Sequence, residues 1–192
     1  MTVLRNIPAL IEPYKIFFPI ISKPCLPLYS DNFSNPGSGW PTTDSGNYVY
    51  EYKDGEYRIL VRPIQTESLS HPGFQASDYI VTVDLCNVNW ARGSYGIAFG
   101  IADDLSTFYT LEIYPTGWYG IYHYDPNDVI TLSEAFSSVI HQGNAINHIK
   151  VERNVASINA FANDQLLASV TDGTYTGSLY LGLAVFNMTS QI

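Results

Sequence analysis

Charged side chains are scarce in this sequence of 192 residues. Lys, Arg, Asp and Glu make up 14% of the chain, and 9 basic residues stand against 18 acidic ones, for a formal net charge of −9. A chain with this balance repels phosphate backbones and anionic lipid surfaces. Nucleic acid is therefore excluded as an expected partner.

Long hydrophobic runs are also missing. The most apolar stretch, IFFPII at residues 16–21, is far shorter than the about 20 residues that a helix needs to span a bilayer. We therefore expect no membrane span. Residues 1–29 do not resemble a usual signal peptide, because five prolines interrupt any helical core. If the protein is secreted, we expect its leader to lie outside this numbering.

Cysteine and metal-ligand patterns are sparse too. Cys25 and Cys86 either form one disulfide that pins the N-terminal segment or remain two thiols, and their spacing does not decide between these alternatives. The four histidines show no i, i+2 or i, i+4 pair, so we expect no zinc site. Some acidic turns could hold Ca²⁺, but Asp and Asn favour turns in any case, so we expect no cofactor. These turns are Asp31-Asn32, Asp103-Asp104 and Asp125–Asp128.

What is present points to an all-β chain. The composition combines 46% hydrophobic residues with 15 Tyr, 14 Gly and 11 Pro, which is typical of β domains with many turns. Asp54-Gly55 and Asn163-Asp164 are predicted hairpin turns. We predict a two-sheet antiparallel β-sandwich of about ten strands over residues 30–192. Residues 66–78 read as a loop, and residues 133–143 as a helical turn or an irregular crossover.

Residues 1–29 have a different character from the rest. Prolines alternate there with apolar clusters, a pattern that favours an extended arm. The apolar residues of this arm would expose a large area unless a surface covers them. The cover would come from this chain or from a second copy, which would make the protein a homo-oligomer. The candidate assembly residues are Ile16, Phe17, Phe18, Ile20 and Ile21.

Two strands show a clear inward and outward alternation. In YIVTVDL, the side chains at 79, 81, 83 and 85 are predicted to face the core. In GSYGIAFGI, we predict that Tyr95, Ile97, Phe99 and Ile101 share one face. The other face would then carry a floor of small residues, namely Gly96, Ala98 and Gly100.

The stretch TFYTLEIYPTGWYGIYHY, residues 107–124, reads as a hairpin with aromatic residues on both faces. A Pro115-Thr116-Gly117 loop would pair Tyr114 with Trp118 and so set the register. The aliphatic content of one face marks it as the core side: Tyr109, Leu111, Ile113, Tyr119, Ile121 and His123. We call the other side the aromatic face: Phe108, Thr110, Glu112, Tyr114, Trp118, Gly120, Tyr122 and Tyr124.

The aromatic face has the chemistry of a sugar-binding surface. Pyranose rings present an apolar C–H side to aromatic plates and hydroxyls to polar groups, and Glu112 opposite Gly120 would be the hydroxyl acceptor. Two other interpretations stay open. Tyr and Trp also pair across half-wet sheet faces without any ligand. The small-residue floor could instead receive an extended segment, either the arm of this chain or that of another subunit.

Several motifs together resemble the concanavalin A-like lectin/glucanase superfamily, and more closely its extracellular bacterial domains of the non-catalytic type. They are DNFSNPGSGWP, YKDGEYRILV, GSYGIAFGI, the aromatic hairpin, NHIKVERN and FANDQLLASVTD, and the similarity covers about residues 30–186. The resemblance implies a jelly-roll of two antiparallel sheets. In relatives, the concave face or the rim loops often hold glycans, sometimes with calcium.

Catalysis has little support in the sequence. Glycoside hydrolases of this superfamily carry paired acids two or four positions apart on one strand, and such a pair is absent here. Glu112 is the only acid in the hairpin, and Glu152 stands beside Arg153 with no second carboxylate two positions away. We therefore predict a non-enzymatic module, extracellular or at the cell surface, that binds a glycan or a surface protein. The alternative is a subunit of a filament or surface assembly whose arm inserts into its neighbour.

Overall fold

The computed structural model describes residues 27–88 and 93–188 of the chain. The chain divides into two units, Met1–Ser30 and Asp31–Ile192, and the strands formed by the described residues lie in the second. Among the described residues, no helix has both the length and the apolar character that crossing a bilayer requires.

The described residues form fourteen β-strands. Their bounds are β1 Thr43–Asp44, β2 Tyr48–Lys53, β3 Glu56–Val61, β4 Thr66–Ser70, β5 Gln75–Ala76, β6 Tyr79–Leu85, β7 Gly93–Ile101, β8 Phe108–Ile113, β9 Trp118–Asp125, β10 Asp128–Phe136, β11 Asn147–Asn154, β12 Ser157–Ala162, β13 Gln165–Thr171 and β14 Leu179–Asn187.

These strands form three antiparallel sheets. The largest has seven strands in the order β10-β9-β8-β7-β14-β4, with the short β5 also paired to β14. The second has four strands in the order β13-β12-β11-β6, and the third consists of β1, β2 and β3. The predicted all-β, two-sheet sandwich is confirmed, with the three-stranded sheet as an addition.

The core lies between the seven-stranded and the four-stranded sheets. Fully buried Ile97, Leu111 and Ile121 come from the larger sheet, and they belong to one cluster with Ile149 and Ile158 of the smaller one. Burying an aliphatic side chain of this size stabilises a fold by about 1.5–3 kcal/mol. The predicted inward residues of β6 pack against the same cluster, which confirms that alternation.

Both predicted hairpin turns are present. Asp54 and Gly55 adopt φ of +58° and +78° between β2 and β3, and Lys53 pairs with Glu56. Asn163 and Asp164 adopt φ of +49° and +64° between β12 and β13. Positive φ at both central residues is the geometry of a two-residue hairpin whose twist matches its strands.

A bulge at Gly100 overturns part of the prediction for β7. Ile101 pairs with Tyr180, whereas Phe99 pairs with Leu181, so Gly100 is the extra residue, and it adopts φ of +61°. An extra residue shifts every following side chain to the opposite face. Ile101 therefore leaves the predicted core row and packs with the buried Phe108 on the aromatic face.

The same bulge removes Gly100 from the predicted floor of the aromatic face. A Cβ built on Gly100 would lie 3.1 Å from the Cδ2 atom of Tyr109, on the core side. Gly96 and Ala98 keep their predicted positions, opposite Glu112 and Thr110 respectively.

Two segments that were predicted to be irregular form strands. Residues 66–70 are β4, which pairs with β14, although they were predicted to be loop. Residues 133–136 belong to β10, which pairs with β9, although a helical turn or crossover was expected. Both strands end in or contain polar residues on a sheet edge, so neither shows a strong apolar alternation.

Most of the predicted arm, including Ile16–Ile21, and Cys25 lie outside the described residues. Cys86 is exposed at the end of β6. Insertion of the arm into a neighbouring subunit and the Cys25–Cys86 pairing therefore stay predictions.

Candidate functional site

The aromatic hairpin has the predicted register. The backbone N–H of Tyr114 donates to the carbonyl of Trp118 at 2.9 Å, and Gly117 adopts φ of +91° in the loop between them. Glu112 lies opposite Gly120, as predicted. Because the register is confirmed, the two predicted faces are also confirmed as sets of residues that point to the same side.

The core side of the hairpin is buried throughout, including His123. The Nδ1 atom of His123 lies 3.0 Å from Asp172 Oδ2, and its Nε2 atom lies 2.7 Å from the hydroxyl of Tyr175. Burial disfavours the Asp172 carboxylate, but hydrogen bonds from Thr174, His123 and Tyr109 outweigh that effect and lower its pKa to about 2. This histidine–aspartate pair joins β9 to the segment after β13 through hydrogen bonds to Tyr109, Thr174 and Tyr175.

The aromatic face divides into a buried and an exposed end. Phe108, Thr110 and Glu112 are buried, and Glu112 has an exposed fraction of only 3%. Trp118 has an exposed fraction of 45%. Tyr114, Tyr122 and Tyr124 lie between these extremes. The structure thus keeps the predicted site residues on one face but gives them different access to a ligand.

The buried end is organised around the carboxylate of Glu112, and we call Glu112 with its four donors the polar hub. The Oε1 atom accepts hydrogen bonds from Thr110 at 3.0 Å and Tyr124 at 2.9 Å. The Oε2 atom accepts hydrogen bonds from Ser94 at 2.5 Å and Tyr114 at 3.3 Å. A carboxylate offers about four acceptor positions. Glu112 therefore has all of them occupied by hydroxyl groups of its own chain.

The hub also holds the tyrosines in their protonated, donating form. Burial raises the pKa of Tyr114 and of Tyr124, and the negative charge of Glu112 raises each further. The hydroxyl of Tyr114 lies 3.2 Å from that of Tyr122, so the hub extends through Tyr114 to a tyrosine at its border. The orientation of Tyr122 is thereby tied to the buried carboxylate.

Gly120 is required for the position of the Tyr122 ring. A Cβ atom built on Gly120 would lie 2.3 Å from two ring atoms and the hydroxyl oxygen of Tyr122, so one of the two side chains would have to move. The predicted notch between Glu112 and Gly120 is consequently filled by Tyr122. The ring forms the boundary between the hub and the exposed end.

The exposed end contains Trp118, Tyr122, Glu134 and Phe136, and we call these four residues the open end. Phe136 pairs with Trp118 across β9 and β10, and the two rings meet edge to face with centroids 6.4 Å apart. Phe136 has an exposed fraction of 52%, and its ring would collide with any side chain at Gly117. Two aromatic plates are therefore held at the surface by backbone geometry.

Glu134 supplies an exposed carboxylate beside these rings. It pairs with Gly120 in the row of β10, β9 and β8 that also contains Glu112. Burial raises the pKa of Tyr122, and the nearby charges of Glu112 and Glu134 raise it further. Glu134 is thus close to the Tyr122 hydroxyl while remaining accessible to solvent.

Glu67 on β4 brings another carboxyl group to the same side of the sheet. It pairs with Phe186, which in turn pairs with Ser94 of the polar hub. Its Oε1 atom is buried and has no hydrogen-bond partner among the described residues. Burial, together with the charge of Glu112, raises the pKa of Glu67 to about 8, so the group carries a proton at neutral pH.

The sequence analysis did not identify Glu67, Glu134 or Phe136 as site residues. All three lie in segments that were predicted to be irregular, so no face could be assigned to them. The acids on this face come from three different strands, whereas the sequence test looked for pairs within one strand. If the turn at Asp125–Asp128 had been interpreted as the start of a second hairpin, residues 128–136 would have been predicted as a strand. That strand would have placed Glu134 and Phe136 beside Trp118.

The acidic turns show the hydrogen bonding of ordinary turns. Asp31, Asp104 and Asp125 each accept a hydrogen bond from the backbone N–H two residues later. Within residues 27–88 and 93–188, no three His, Cys, Asp or Glu side chains group closely enough to hold a metal ion. Calcium binding stays untested by this geometry.

Comparison with known proteins identifies the fold but no close relative. No protein-family model matches the chain, and no curated protein matches it. The carbohydrate-binding module CBM66 from Bacillus subtilis is similar in structure, with a TM-score of 0.65 and 16% identity over 78% of this chain and 89% of that one.

The β-glucanase of Bacillus licheniformis has a TM-score of 0.55 and 10% identity over 82% of this chain and 83% of that one. The Crh5 transglycosylase, solved in complex with NAG, has a TM-score of 0.58 and 11% identity over 82% of this chain and 67% of that one. Structural similarity at identities this low establishes the fold of the chain but does not establish an activity. The chain therefore has the concanavalin A-like jelly-roll fold that its sequence motifs resemble.

Proposed function

We propose that this chain is a non-enzymatic, extracellular module that binds glycans through the open end of the aromatic face. The observation that carries the proposal is the exposed pair of Trp118 and Phe136, held beside Tyr122 and the accessible carboxylate of Glu134. Aromatic plates accept the C–H side of a sugar ring, and a carboxylate accepts its hydroxyl hydrogens.

The polar hub supports this role indirectly. Because Glu112 is saturated by Ser94, Thr110, Tyr114 and Tyr124, it orients the tyrosines in advance and leaves the ligand contacts to the open end. A surface whose side chains are already ordered loses less entropy on binding. We therefore replace the predicted hydroxyl acceptor, Glu112, by Glu134.

The same saturation argues against hydrolysis at this face. Acid and nucleophile chemistry on a glycosidic bond needs two carboxyl groups that both reach the substrate. Glu112 is buried with its acceptor positions filled, so a pair formed by Glu112 and Glu134 lacks one accessible member. The low charge and acidic balance of the chain are compatible with an extracellular setting.

The test is a screen on an array of neutral and acidic oligosaccharides, followed by isothermal titration with the glycans that bind. We expect Trp118→Ala to weaken binding at least about tenfold, because aromatic anchors at the centre of a contact carry most of its energy. Ile130→Ala is the matched control, since Ile130 is an exposed apolar residue of β10 on the opposite face.

Two results would contradict the proposal. The first is an absence of glycan binding by the wild-type chain. The second is a bound glycan whose affinity is the same for wild type and Trp118→Ala, which would place its site elsewhere on the molecule.

A further inference from the structure

The outward face of the four-stranded sheet contains a groove that is separate from the aromatic face, which belongs to the seven-stranded sheet. It has a volume of about 320 Å³ and is lined by Tyr79, Ile80, Glu152, Arg153, Asn154, Ser157 and Asn159. Glu152 pairs with Ile80 on one side and with Asn159 on the other, so these three side chains form one row across β6, β11 and β12. Ligand pockets begin at roughly this volume.

Several polar side chains of this groove have hydrogen-bonding groups that are available to a ligand. Within the described residues, the side chains of Asn154, Ser157 and Asn159 make no hydrogen bond. Glu152 uses only its Oε1 atom, which accepts from Lys150 Nζ at 2.7 Å. The groove thus offers two amides, one hydroxyl and one carboxylate oxygen. This set can both donate and accept hydrogen bonds.

The cations near the groove are already engaged. Lys150 bonds to Glu152 and also lies 3.8 Å above the ring of Phe161. Arg153 is buried, donates to the carbonyl oxygens of Val155 and Tyr175, and lies over the ring of Tyr109. Since neither of these two cations is left to pair with an anion, the chemistry of the groove favours a neutral ligand rich in hydroxyl groups.

An apolar contact completes the surface. Ile80 has an exposed fraction of 69% and stands beside Glu152 in the same row. A neighbouring row contributes Phe161, which pairs with Lys150. Apolar carbon next to amide and carboxylate oxygen matches the mixed character of a sugar ring.

We propose that this groove is a second carbohydrate site, for a neutral mono- or disaccharide, on the sheet opposite the aromatic face. The proposal rests on the groove and its unpartnered polar groups, and it does not require the open end to bind anything. The two sites would face opposite ways, so one chain could contact two glycans.

Nuclear magnetic resonance of ¹⁵N-labelled full chain tests the proposal, because side-chain amide signals report the groove directly. Cellobiose, maltose and lactose are titrated in turn, and we expect at least one to shift the Asn154 and Asn159 amide signals saturably. Glu152→Gln and Asn159→Ala should each weaken that binding by at least about tenfold, the effect of one lost hydrogen bond to a charged or amide group. Trp118→Ala should leave it unchanged.

Asn159→Ala removes an amide from the middle of β12, so the Glu152→Gln variant, which keeps the side-chain shape, guards against loss of folding. Three results would overturn the proposal: no shift with any of the three sugars, shifts that survive both groove substitutions, or shifts that disappear in Trp118→Ala. The last result would assign all binding to the aromatic face and leave the proposed function intact.

Discussion

Glu112 and Glu134 lie in one row of the seven-stranded sheet, separated only by Gly120, yet their surroundings differ completely. Glu112 is buried and accepts four hydroxyl hydrogen bonds, whereas Glu134 is exposed. Between them, the Tyr122 ring lies over Gly120. The comparison shows how one aromatic face can combine a rigid support with an accessible surface. The substitutions below test each side of it.

The largest effect is expected at the polar hub. Glu112→Ala would leave Ser94, Thr110, Tyr114 and Tyr124 without their common acceptor. Buried donors that lose their partner are costly, so we expect the free energy of unfolding to fall by roughly 3–5 kcal/mol. Urea denaturation measures the change. Glu134→Ala is the matched control, expected within about 0.5 kcal/mol of wild type, and equal losses in both variants would refute the distinction.

The next effect is expected at the boundary between the two ends. Gly120→Ala places a Cβ within 2.3 Å of the Tyr122 ring, and overpacking of this kind costs about 1–3 kcal/mol of unfolding free energy. A double-mutant cycle isolates the cause, because the cost of Ala at position 120 should vanish when Tyr122 is also replaced by Ala. A cost that persists in the double variant would mean that the backbone, rather than the ring, requires glycine.

A third prediction concerns Glu67, which shares the face with Glu112 but has no hydrogen-bond partner for its Oε1 atom in the part of the chain that the structure describes. Its pKa is raised from 4.5 to about 8, so the folded chain binds this proton more tightly than the unfolded chain does. Stability should therefore fall as the pH rises from 4.5 to about 8, and stay low above that value.

Glu67→Gln should remove this part of the pH dependence. We expect the free energy of unfolding of the variant to exceed that of wild type by about 3–5 kcal/mol above pH 8, because each pKa unit corresponds to about 1.4 kcal/mol, and to differ little from it below pH 4.5. Urea denaturation across this pH range measures both limits. Parallel curves for wild type and variant would show that Glu67 titrates normally in the folded chain.

How far the sequence predicts this arrangement depends on the strength of the local pattern. The strand register of the hairpin at residues 108–124 was predicted correctly, because its loop residues, its alternation and the aliphatic residues of one face all indicate the same pairing. The turns at Asp54-Gly55 and Asn163-Asp164 were also predicted correctly from their residue types. The bulge at Gly100 was not, because an extra residue leaves the alternation intact on either side of it.

The candidate site was harder to predict than the fold. Burial of Glu112 depends on hydroxyl groups from β7, β8 and β9, and a hydrogen-bond network between strands leaves no spacing signal in a single sequence. Glu134 and Phe136 became visible only when residues 133–136 proved to be strand. The residue types of the aromatic face were therefore predictable, but the division between support and surface was not.

The smallest effect is expected at Glu134, and it concerns binding alone. Glutamine keeps the size of the side chain and one oxygen acceptor but removes the charge, so a hydroxyl of the glycan would lose a charge-assisted hydrogen bond. We expect Glu134→Gln to raise the Kd of any bound glycan about three- to tenfold in isothermal titration. Unfolding in urea should remain that of wild type, because Glu134 is exposed. An unchanged Kd would mean that the aromatic plates of Trp118 and Phe136 hold the glycan without a carboxylate, and the acceptor would then have to be sought among the hydroxyls of the tyrosines.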